Sequence, residues 1–193
     1  MVKKRKLPSA GRVVFIEMVL EMLDEGTALR EMNLRQIARR IGCAHTNAYN
    51  YFASFEELLW WSLREALERM VGKNSTGEEE QRHEANLIES YVDFALAHPA
   101  WYRLIWMEAL GGIPPRGVEE YLKVPGVLYQ KWLAEHVGRD PDDPVLVSGA
   151  RILHGYLHGE LAAITTGRGH GTTEELKLQV LEQSDRLLDL LFY

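Results

Sequence analysis

The chain has 193 residues, of which 46% are hydrophobic and 26% charged, the make-up of a soluble globular protein and not of a disordered or fibrous one. A single cysteine, Cys43, rules out an internal disulfide or a cluster of thiolates on zinc, and no apolar run is long enough for a bilayer or free enough of acids for a secretory signal; the cytoplasm is the expected compartment. The net charge of −6 hides a reversal of sign, because residues 1–55 carry nine Lys or Arg against five Asp or Glu, while the rest carry thirteen against twenty-three.

Abundant Leu, Glu, Ala and Arg, with no alternating runs of Val, Ile and Thr, predict an all-α fold of about nine helices. A first helix is expected from about residue 8 to Gly26, with Val13, Ile16, Leu20 and Leu23 on one face and the glycine as its stop. The second opens at Asn33, whose spacing to Gln36 suits a capping box, and ends at Ile41 before Gly42 turns the chain. A third covers 45–51. The fourth starts at Ser54, with Glu57 placed to reach back to the Ser54 amide, and continues to about Val71. After a loop over 72–77, a fifth runs from 78 to 98 and is ended by Pro99. The sixth, 100–110, is apolar on almost every side, which predicts that the others enclose it. The seventh, 118–136, should be kinked or interrupted before Pro125. The eighth has Asp143 as cap and Pro144 in its first turn, and runs to Thr166; the ninth opens at Thr172 with Glu175 in capping-box position.

Within residues 34–52 the spacing carries chemistry. Ile37, Ile41, Cys43 and Ala48 are apolar where two crossed helices must touch, Ala38 is small at the closest approach, and Gly42 sits in the turn. That pattern predicts a helix-turn-helix, whose second helix enters the major groove of DNA. His45, Thr46, Asn47 and Asn50 can hydrogen-bond base edges or phosphates, and Tyr49 and Tyr51 can reach phosphates. Asn33, Arg35 and Ser54 complete the candidate DNA-contacting set. The basic head suits a polyanion and the acidic body stays clear of it. The run Lys3, Lys4, Arg5 and Lys6 reads either as an arm on DNA or as a solvated tail.

A first amphipathic helix ending in Gly26, then Ile37 with Ala38, Gly42, Tyr49 with Phe52 three residues on, Ser54, and the run Glu57, Leu58, Leu59 together resemble the tetracycline-repressor (TetR/AcrR) family over about residues 10–60. The resemblance implies a three-helix DNA-binding head over 1–54, a helical effector-binding and dimerisation domain over 55–193, and a homodimer on a pseudo-palindromic double-stranded operator. One position departs from it. Where the family has a Lys that contacts phosphate near the start of the fourth helix, this chain has Phe55, which removes one charge contact per subunit.

In the body, the stretch from Ala97 to Trp106 and the stretch from His154 to Glu160 resemble a C-terminal domain type named for a Trp and a His-Gly pair. Trp101, Tyr102, Ile105, Trp106 and Met107, with Tyr91 and His154 or His158, are candidates to line an apolar cavity of the kind the family resemblance implies, for an apolar or aromatic small molecule. Each of these residues taken singly reads more readily as core, by about two to one, because buried aromatics are usually packing. His154 and His158 lie four apart on one helix face, as two metal ligands would, yet Gly155 stands where a zinc-protease motif has Glu; no metal or cofactor is expected. Gly155 and Gly159 suggest instead a close approach to another helix. The eighth and ninth helices are expected to pair two subunits in a four-helix bundle, through a stripe of Leu176, Val180, Leu187 and Leu191 with Lys177 on a different face.

No Ser-His-Asp grouping, glycine-rich phosphate loop or paired carboxylates stands out, so an enzyme is the weakest of three readings. The strongest is a ligand-responsive DNA-binding regulator, read as a repressor. The alternative, drawn from Phe55, is a helical interaction or ligand-binding protein with weakened or lost DNA binding.

Overall fold

The computed structural model describes residues 11–72 and 86–193. Among them are nine α-helices and no strand: α1 Arg12–Asp24, α2 Leu34–Ile41, α3 Phe55–Met70, α4 Leu87–Ala97, α5 Pro99–Trp106, α6 Arg116–Glu119, α7 Val124–Val137, α8 Pro144–Thr165 and α9 Thr173–Phe192. Short 3₁₀ turns stand at Leu29–Glu31, His45–Asn50 and Tyr121–Lys123. The expected start of the first helix, the basic arm at 3–6, and residues 78–85 of the fifth expected helix lie outside the described residues.

Local chemistry sets most helix ends. Asn33 caps α2 by accepting from the Arg35 and Gln36 amides, at 3.1 and 3.0 Å. Asp143 accepts from the Val145 amide at 2.8 Å, ahead of Pro144. Thr172 and Glu175 close a full capping box on α9. The Ser54 hydroxyl accepts from the Glu57 amide at 3.2 Å, but the Glu57 carboxylate takes the Ala53 amide, at 2.6 Å, and not that of Ser54. Gly42 ends α2 at φ 78°, where a side chain would be strained, and so lets the Cys43 amide reach the Ala38 carbonyl at 2.9 Å.

Two expected helices come out differently. Residues 45–50 form a 3₁₀ turn, in keeping with the weak helix propensities of His, Thr and Asn there. The sixth stops at Trp106, short of the expected Leu110. The seventh is interrupted before Pro125 as expected, into α6, a 3₁₀ turn and α7, with Pro125 in the first turn of α7, where its missing N–H costs nothing.

The helices close over two hydrophobic cores. The first joins α1, α2, the 3₁₀ turn at 45–50 and α3, with Phe15, Leu20, Ile37, Phe52 and Leu58 fully enclosed; it also takes in Phe94, Trp101 and Leu104, so it runs past residue 54 into the body. Each such side chain contributes about 1.5–3 kcal/mol on burial. The second joins α4, α5, α7, α8 and α9 around Tyr102, Leu133, Leu146, Leu153 and Leu157. Helix α5 belongs to both: Trp101 donates to the Leu20 carbonyl of α1 at 2.9 Å, while its neighbour Tyr102 faces the second core. Arg69 pairs with Glu17, and the stacked His98 and Trp101 rings sit beside Asp24, fastening α1 to α3 and α5.

The face of α9 needs correction. Val180, Ser184, Leu188 and Phe192 are buried at intervals of four, Leu187 and Leu191 are half-buried beside them, and the whole set packs within the chain. Lys177 lies on this inward side, its ammonium between Glu89 and Asp93 of α4 at 3.1 and 2.6 Å. The glycine that permits close approach of α8 to another helix is Gly149, where a Cβ would stand 2.3 Å from the Phe192 ring; Gly155 and Gly159 face open space.

Candidate nucleic-acid face and ligand cavity

The 3₁₀ turn His45–Asn50 and the start of α2 lie on one exposed side of the head. Between residues 32 and 55 the sequence has Arg35, Arg39 and Arg40 and no carboxylate; Arg40 pairs with Glu25, so Arg35 and Arg39 carry the positive bias of this side. Asn33, Arg35, His45, Tyr49 and Ser54 share the rim of a shallow concavity of about 510 Å³, joined by Phe55 and Glu56. Arg35 and His45 also border a second hollow with Arg39 and Gly42. Thr46 and Asn50 are exposed, Tyr49 is 56% exposed, and Asn47 is half-buried, its side-chain carbonyl accepting from the Asn50 amide group at 3.1 Å.

Tyr51 stands apart from that group. Its ring packs against Phe15 and Phe52 of the first core, at centroid distances of 6.3 and 6.5 Å. The Glu56 carboxyl is held below its ordinary range by its own backbone amide and by the Ser54 hydroxyl, so a formal negative charge stays at the edge of the concavity.

A deeper cavity of about 490 Å³ opens in the body, bounded by the end of α3, by α4, α5, the start of α7, and α8. Of the residues proposed from sequence to line it, Tyr91, Trp106 and His154 do. Trp101 is buried against α1, Ile105 packs on the first core, and Met107 is 41% exposed. Tyr102 and His158 lie behind the wall in a hydrogen-bonded series: the Tyr91 hydroxyl donates to Tyr102 at 3.3 Å, and Tyr102 meets His158 Nδ1 at 2.9 Å. Burial raises the Tyr102 hydroxyl to about 12 and lowers both histidines from their ordinary value, His154 further through the neighbouring His158. Both imidazoles are therefore neutral near neutral pH, which lets Tyr102 donate to an unprotonated Nδ1. The two rings stack 6.1 Å apart, and among the described residues no third ligand-type side chain joins them.

No family model and no curated protein matches the chain. Solved structures do. A protein of unknown function from Rhodococcus sp. RHA1 superposes over 100% of both chains at 22% identity and a TM-score of 0.66. A TetR transcriptional regulator from the same organism covers 93% of each chain at 20% identity and a TM-score of 0.59. A TetR family transcription regulator from Marinobacter aquaeolei VT8 covers 90% of this chain and 93% of its own at 15% identity and a TM-score of 0.53. The fold is that of the TetR regulators. In this TetR fold the sequence reading missed Tyr129, Lys123 and Arg151, which line the cavity from α7, the turn before it and α8. One signal was the apolar run from Val124 to Tyr129 around Pro125, in which Val127 and Leu128 are exposed. No described helix is long and apolar enough to cross a membrane.

Proposed function

We propose that this protein is a ligand-responsive transcriptional regulator, acting as a repressor, that binds a pseudo-palindromic DNA operator as a homodimer. The observation that carries the reading is the gathering of Asn33, Arg35, His45, Tyr49 and Ser54 on one exposed face at the helix-turn-helix, with Thr46 and Asn50 exposed beside them. Arg35 supplies positive charge for phosphates, and the amide and hydroxyl groups suit base edges and backbone oxygens. The TetR fold and the TetR regulators that share it support the same reading.

Ligand response has a structural route. Helix α3 begins at Ser54 on the DNA-facing side and ends with Met70, which lines the cavity; its 16 residues span about 24 Å. A molecule seated in the cavity presses on the far end of the helix that anchors the recognition turn. Pairing of two subunits is assigned to the outer face of α8, where Val145, Ser148, Ile152, Gly155 and Gly159 recur at intervals of three and four and are all exposed. The glycines there, with nothing within 4 Å of a Cβ, leave room for a second copy of the helix.

Phe55 and the ionised Glu56 at the edge of the concavity favour a second reading, a ligand-binding protein with weakened DNA affinity. Selection of preferred sequences from a random DNA pool decides between them. The regulator is expected to enrich a two-fold symmetric site, and Asn47→Ala to lose about 1–3 kcal/mol on that site and relax its preference at one position of each half. A pool that stays random contradicts DNA recognition, and equal loss on specific and random DNA contradicts base reading by Asn47.

A further inference from the structure

The charged groups that line the 490 Å³ cavity are few. Among the described residues no Asp or Glu lines it, whereas Lys123 and Arg151 do, both exposed at its edge and without an ion pair within that set. Deeper in, the indole N–H of Trp106 and the hydroxyl of Tyr129 are buried with no hydrogen-bond partner among the described residues. An indole nitrogen only donates, and a buried donor left unmade costs about 1–3 kcal/mol. Around them the walls are aromatic: His154 stands edge-on to both Trp106 and Tyr129, at 5.6 and 5.9 Å, and Tyr91 is 6.2 Å from the same imidazole. This is a lining that accepts a flat ring, offers hydrogen-bond donors at depth, and meets a negative charge at the entrance.

We propose that the effector is an aromatic carboxylate: a ring system held among Tyr91, Trp106, Tyr129 and His154, with its carboxylate at Lys123 and Arg151 and a hydroxyl or carbonyl oxygen at the far end taking the Trp106 N–H. The proposal rests on reading the cavity as the effector site. A carboxylate is favoured over a neutral or cationic group because, among the described residues, two cations and no anion border the entrance. The neutral state of His154 keeps the inner wall uncharged, so the ionic end of the ligand belongs at the edge and not at depth.

The test is calorimetric titration of the full-length protein with 2-naphthoate, 6-hydroxy-2-naphthoate, 2-naphthalenemethanol, 2-naphthylmethylamine and decanoate. The naphthoates are expected to bind about tenfold or more tighter than the alcohol and the amine, and the hydroxylated acid tighter than its parent. The double variant Lys123→Ala, Arg151→Ala, altered only at exposed positions, should bring naphthoate down to the level of the alcohol. Trp106→Phe should erase the advantage of the hydroxyl while leaving the preference for acid over alcohol. Alcohol or amine binding as tightly as naphthoate overturns the anionic end, decanoate exceeding naphthoate overturns the aromatic body, and silence from all five overturns the ligand class. If naphthoate binds as expected but DNA binding is absent or unmoved, the ligand class stands and the regulator reading falls; if the alcohol binds best and releases DNA, the reverse holds.

Discussion

Asn33 spends its side-chain carbonyl on two backbone amides, which leaves its NH₂ group as the part able to donate outward to phosphate. The same economy of atoms appears behind the cavity, where Tyr102 accepts from Tyr91 and so has its proton left for His158. That arrangement fixes a pH dependence. Both His154 and His158 have their pKa lowered by burial, so the unfolded chain binds protons more readily than the folded one as pH falls below the ordinary histidine value of about 6.5. Stability is therefore full above that value and declines below it, the opposite of a histidine that gains an acidic partner. Melting temperature measured from about pH 8 to about pH 5.5 should fall, and His158→Gln should flatten the fall. An identical slope in the variant would show that the decline originates elsewhere. These pairings were not legible in sequence, where Trp101 and Trp106 are equivalent aromatics; five positions apart on a helix they face opposite ways, and only the packing decides that Trp101 meets α1 while Trp106 meets the cavity.

At the scale of elements, helix starts were legible because caps are local. Asn33, Ser54, Asp143 and Thr172 each accept a backbone amide two or three residues ahead, as their spacing predicted. The inward face of α9 was not, because a leucine stripe carries no mark of which neighbour it meets. Lys177 reads as solvated from its charge, yet two acids on α4 draw it to the packed side. The contact that fixes α8 against α9 is the Phe192 ring lying on Gly149. Gly149→Ala should lower stability by about 1–3 kcal/mol through overpacking, and adding Phe192→Leu should restore part of the loss. Additive losses in a denaturant titration of the double variant would contradict that contact. The full lining of the cavity was only partly legible for a related reason: its walls come from Met70, Tyr91, Trp106, Tyr129 and His154 on five separate helices, and no spacing along the chain links them.

For the whole molecule, the sign reversal along the chain suits the proposed division of labour, a head with Arg35, Arg39 and Arg40 on α2 and an acidic body. The pairing surface belongs to this scale. Leu187 is tied into its own core, so a charge there would disturb folding and association together. Ile152, 49% exposed in the middle of the α8 face, separates the two. Ile152→Glu is expected to keep its helical circular dichroism and its melting temperature while light scattering reports half the wild-type mass; a variant of unchanged mass would place the interface elsewhere. Recognition of DNA by the head is the central claim, and it is tested most directly by fluorescence anisotropy of the full-length protein on DNA flanking its own gene, across a series of salt concentrations. Tight binding is expected, with a logarithm that falls linearly with the logarithm of salt, a slope about one unit shallower per subunit for Arg35→Ala, and release on adding the effector. Affinity for flanking DNA no greater than for random DNA at every salt concentration would contradict it.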